Sequence, residues 1–127
     1  MVVKSTGKPL LYERTLGMSV MEGKGFYYPN DAVVASNGKI YVLNRSLEAR
    51  GSGRGMRVTI CDSVDKFHGD FGEFGSGSGQ FMWPSAICEG PDQKLYVTDE
   101  HLHKILTFSA DWTFLKEWCQ LCSIPGA

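Results

Sequence analysis

Asn30 and Asp31 follow a proline and place an amide beside a carboxylate. Such oxygens suit a hard cation such as calcium, and the same side chains can instead cap a strand start by bonding nearby backbone amides. His101 and His103 are two residues apart, the spacing that turns both imidazoles to one side of a strand. As zinc ligands they need a third partner, and none stands nearby. His68 is isolated and has no assigned role. Arg45, Arg50, Arg54 and Arg57 fall within thirteen residues, among Gly51, Ser52, Gly53 and Gly55, with Glu48 the only acid. Flexible glycine with arginine can wrap phosphate, as in single-stranded RNA binding; a solvated loop is the alternative. Tyr27, Tyr28 and Trp83 offer faces that stack on a sugar or peptide, or wedge neighbouring units together. Cys61, Cys88, Cys119 and Cys122 contain a single Cys-x-x-Cys, with no second pair to complete a zinc site. The motif also lacks the setting of a redox pair, so free thiols are expected. No nucleophile–base pair and no phosphate loop stands out, so no catalytic residue is assigned.

The bulk numbers narrow the partners. A chain of 127 residues with 43% hydrophobic side chains can build the core of one ordinary domain. A net charge of −1 supplies no global field toward nucleic acid or an anionic membrane. No apolar run approaches the roughly 18 residues of a membrane span. The first residues lack a signal-peptide pattern, which places the protein in the cytoplasm if Met1 is its true start.

The elements that position these residues come from an internal repeat. Phe26, Pro29, Lys39, Tyr41 and Val42 recur as Phe81, Pro84, Lys94, Tyr96 and Val97, each 55 residues later. Repetition of this kind implies units that bury their faces against copies of themselves. Residues 33–35 and 39–43 around Asn37-Gly38 read as a hairpin, with Asn-Gly supplying the positive φ angles of a tight turn. Residues 57–61 make a third strand and 67–71 a fourth, echoed at 104–108 and 114–118. Residues 11–16 align with the fourth strand and read as a lone outer strand. Eight extra residues in the first copy isolate the basic insert at 47–55. No stretch sustains a helical period.

Four-stranded units in tandem suggest an all-β fold of β-propeller blades. Phe81 with Trp83-Pro84, Leu95-Tyr96-Val97-Thr98-Asp99 and Leu102-His103-Lys104-Ile105 resemble the NHL repeat, with Leu102 departing from asparagine. The resemblance implies an incomplete six-bladed propeller: leader and clasp strand in 1–22, blades at 23–72 and 73–118, and a tail at 119–127. The ring would be completed by missing blades of the same chain or by a trimer. It implies a packing role for His103, and a loop face bearing residues 17–28, 45–57, 72–83 and 100–103. The position after the proline resembles the zinc-binding histidine position of amidating lyases, here Asn30 and Ser85, which does not support that chemistry. Pro29-Asn30-Asp31 resembles a metal motif of gluconolactonases. The leading expectation is a binding scaffold for a protein or small molecule. Its candidate ligand residues are Tyr28, Asn30, Asp31, Arg50, Arg54, Trp83, Ser85 and His101. The alternative is part of a calcium- or zinc-dependent lyase or lactonase, with Asn30 and Asp31 as ligands.

Overall fold

A computed structural model describes residues 7, 9–46 and 55–119. Eight strands form two four-stranded antiparallel sheets, and no helix occurs among the described residues. The first sheet holds β1 (Pro29–Val34), β2 (Ile40–Asn44), β3 (Arg57–Cys61) and β4 (Phe67–Phe71). The second holds β5 (Pro84–Glu89), β6 (Leu95–Asp99), β7 (Lys104–Phe108) and β8 (Phe114–Cys119). Spatial order equals chain order in both sheets. The all-β expectation holds.

The repeat is repeated geometry as well as repeated text. Pro29 pairs with Asn44 and Pro84 with Asp99, and the register shifts immediately afterwards in both sheets. Proline brings no N–H to the ladder, so it fits at the first position of an edge strand. Before each sheet lies an isolated parallel bridge, Ser19 with Phe26 and Phe74 with Phe81. Gly17 and Gly72, at φ +81° and +88°, sit under those two phenylalanine rings; an added Cβ would meet a ring carbon at 2.3 Å in each case. Positive φ and a ring overhead together demand glycine.

The hairpin turns differ from the expected tight form. Gly38 has positive φ, Asn37 does not, and Gly38 N–H donates to Ala35 O at 3.0 Å. Three residues therefore turn the chain, the last of them left-handed, as in a type I turn closed by a bulge. The same turn recurs with Asp65, Gln93 and Trp112 in the left-handed place. Side-chain oxygens of Asn37, Asp62 and Asp92 accept turn amides and stabilise it without a second glycine. Residues 11–16 form no strand. A ladder needs a partner, and each sheet already has its outer strand, so Leu10, Leu11 and Tyr12 are exposed.

The core lies between the sheets. Tyr41, Leu43, Val58 and Ile60 of the first meet Phe81, Ile87, Leu95, Val97, Leu106 and Phe108 of the second. Phe108 is its aromatic centre, with Phe71 at 4.8 Å and Phe81 at 5.8 Å between ring centroids. Burying one such ring contributes about 2–3 kcal/mol. Period-two alternation then leaves an outer face on the second sheet. There Ile105 is 38% and Trp118 46% exposed, whereas their first-sheet counterparts are covered: Val58 is 0% exposed and Phe71 packs on the core.

Candidate functional site

The sheets are joined by polar bonds that the repeat does not duplicate. Asn30 Nδ2 donates to Pro84 O at 3.2 Å and Ser85 O at 2.7 Å. Asp31 Oδ2 accepts Ile87 N–H at 2.9 Å, while its Oδ1 accepts the next amide, of Ala32. Ser36 donates its N–H and hydroxyl to the Glu89 carboxylate. Asp31 therefore caps backbone amides, one of them across the junction, and Asn30 bonds carbonyls instead. Leaving a buried amide such as Ile87 N–H unpaired costs about 1–3 kcal/mol.

Beside this seam a cleft of about 250 Å³ is lined by Tyr28, Pro29, Asn30, Arg45, Ser46 and Trp83. Three expected ligand residues, Tyr28, Asn30 and Trp83, thus come together. Buried anchors at the ends of β2 and β6 hold the cleft loops. Asn44 Oδ1 accepts Tyr27 N–H at 2.8 Å, and its amide nitrogen donates to Thr59 Oγ1 and Arg57 O. Asp99 Oδ2 accepts Met82 and Trp83 N–H at 2.7 and 3.1 Å, and its Oδ1 accepts those of His101 and Leu102. Tyr28 O then receives Arg45 N–H, as Trp83 O receives Glu100 N–H. Arg45 crosses the junction with its guanidinium 3.9 Å from the Trp83 ring centroid and Nη2 3.4 Å from Glu100 Oε1.

Arg57 is a structural staple rather than a phosphate ligand. Its side chain is 6% exposed, and its guanidinium donates to the carbonyls of Val20, Met21, Gly23, Gly25 and Gly55. Desolvation by burial lowers its pKa, while the nearby acids Asp70 and Glu22 raise it. Arg45 is likewise engaged, and Arg50 and Arg54 lie outside the described residues. The second sheet replaces the Arg57–Asp70 pair by Lys104–Glu117 at 3.2 Å.

His101 and His103 lie in the turn between β6 and β7, not on a strand, because Asp99 gathers the turn amides and bends the chain there. His103 is exposed, at φ +54°. It borders a hollow of about 800 Å³ on the outer side of the second sheet, along with Ser85, Lys104, Glu117 and Trp118. Ser85 Oγ bonds Thr98 Oγ1 at 2.9 Å, so it stands away from the Arg45 cleft. His68, which carried no expected role, bonds Asp62 at 2.9 Å. Cys61 and Cys88 are free thiols, as expected, whereas Cys119 is disulfide-bonded. Among the described residues no three His, Cys, Asp or Glu side chains are grouped to hold a metal ion.

Arg45 was expected in the basic cluster and Glu100 only within the loop face at 100–103, so neither stood among the candidate ligand residues. Their positions differ by 55, like the repeat, so opposite charges at equivalent sites were the available signal. No family model and no curated protein matches the chain. A crystal structure described as that of an exported protein from Bacteroides fragilis is similar over 82% of this chain, with a TM-score of 0.63 and 17% identity. This chain covers 27% of that one. The likeness is one of fold.

Proposed function

We propose that the chain is part of an NHL-type six-bladed β-propeller, a non-catalytic scaffold that binds a protein or small molecule at its loop face. One observation carries this reading: the outer face of the second sheet repeats, in exposed form, the face that the second sheet covers on the first. Ile105 and Trp118 stand exposed where Val58 is buried and Phe71 packs against the core, and exposed apolar faces of this kind mark association sites. A further four-stranded unit, from the same chain or from another copy, fits that face. The partial coverage of the Bacteroides protein agrees with a larger array. The lyase or lactonase alternative finds less support, because Asp31 spends both oxygens, and Asn30 its amide nitrogen, on backbone groups.

Sedimentation velocity on the chain tests the proposal. Self-association is expected, and Ile105→Glu with Trp118→Glu should dissolve it. A monodisperse monomer with cooperative unfolding, unaffected by that double substitution, would sink the scaffold reading.

A further inference from the structure

We infer that the cleft of Tyr28, Asn30, Arg45 and Trp83 binds a carboxylate carried close to an amide N–H, as at the C-terminus or an acidic residue of a peptide. The inference deepens the scaffold reading and rests on it only for the role of the loop face.

Arg45 supplies the anion site. Its guanidinium lies on Trp83 at 3.9 Å, which orients the fork before any ligand arrives and reduces the entropy lost on binding. Among the described residues its one side-chain bond is to Glu100, at 3.4 Å. A well-formed charge-assisted bond is about 2.7–2.9 Å. The Glu100 side chain is 55% exposed and that of Arg45 31%, so the pair is solvated and contributes little to folding. Glu100 thus occupies the fork loosely, and an incoming carboxylate able to bond it bidentately displaces it.

Asn30 supplies the complementary acceptor. Its Nδ2 is fixed by the carbonyls of Pro84 and Ser85, which sets the amide plane, while Oδ1 accepts no bond from any described residue. One side of the cleft therefore offers a cationic fork and another a fixed carbonyl-type oxygen. A neutral sugar has no charge for the fork, and a phosphate has no N–H for Asn30. A peptide carboxylate with its neighbouring N–H uses both. The volume of about 250 Å³ lies below that of usual small-molecule pockets and suits the end of one residue. Tyr28, 47% exposed, closes the rim.

The test is calorimetric titration of the chain with three acetylated tetrapeptides: Gly-Ala-Ala-Ala as free acid, the same peptide as C-terminal amide, and the amide with Asp in third place. Binding of the free acid or of the Asp peptide, at least about tenfold tighter than the neutral amide, is expected, and the two anionic arms separate terminal from side-chain recognition. Glu100→Gln should tighten that binding several-fold, by removing the competitor, and Arg45→Lys should weaken it about tenfold. Unfolding midpoints of both variants are expected to stay at the parent value. Equal binding of all three peptides, no binding at millimolar concentration, or weaker binding by Glu100→Gln would overturn the assignment. Failure here leaves the sedimentation result untouched, so the cleft and the scaffold stand or fall separately.

Discussion

Arg57→Met keeps much of the aliphatic stem and deletes the guanidinium that gathers the loop at residues 20–25. The bonds to Val20, Gly23 and Gly55 carbonyls are 3.3 Å long, at the weak edge of hydrogen bonding. Those to Met21 and Gly25 carry most of the energy. Two bonds from a charged donor contribute about 1.5–3 kcal/mol each. Desolvating the cation offsets several kcal/mol of this, and in the variant the loop carbonyls regain water. The expected net loss is about 2 kcal/mol, a shift of roughly 1 M in the urea midpoint for a protein of this size. The effect should be local first. Amide exchange is expected to accelerate at Val20, whose N–H bonds Phe26 O at 2.9 Å, and at Phe26, whose N–H bonds Met18 O at 2.7 Å. Arg57→Lys should recover less than half of the loss, because one ammonium cannot span carbonyls from Gly55 to Gly25. Unchanged exchange at Val20 and Phe26, with an unchanged midpoint, would show that the loop holds itself and refute the staple.

Two further outcomes concern titration. The Asp62 carboxyl is held below its ordinary value of 3.8, first by the His68 hydrogen bond and then by the Lys66 and Val64 amides. Its contribution is therefore whole above that value and lost as pH falls through the lowered one; carboxyl-detected NMR should show the depression shrink in His68→Gln, and an identical titration in both proteins would exclude the bond as its cause. Burial, then Asp65 and Asp62, push the Cys61 thiol up, so a thiol reagent is expected to modify exposed Cys88 rapidly and Cys61 only on unfolding. Equal rates at the two cysteines would contradict that burial.

The strands were legible because apolar alternation and turn residues are local, and the 55-residue repeat supplied each strand with a second copy to check it against. The turn geometry was not, since Gln93 and Trp112 adopt left-handed φ values that their side chains do not advertise. Of the site, Tyr28, Asn30 and Trp83 stood out as polar or aromatic residues flanking the two prolines. Their common cleft depends on how one sheet sits on the other, which no local pattern encodes. Arg57 misled for a related reason: its neighbours in sequence suggest a basic loop, while its partners come from residues 20–25, more than thirty positions earlier. Residues 11–16 carry strand propensity but find no ladder partner in either described sheet, and propensity alone cannot supply one.

Tandem units this similar face a hazard during folding, because either could settle in the other's place. The seam resists such an exchange. Asn30, Asp31 and Ser36 each reach across it, and their counterparts one repeat on are Ser85, Ala86 and Pro91. With the units interchanged, alanine and proline would offer no side-chain bond, and position 89 would present the valine of position 34 in place of a carboxylate. Correct order is therefore selected by bonds that only one arrangement can make, a specificity the shared apolar core cannot provide.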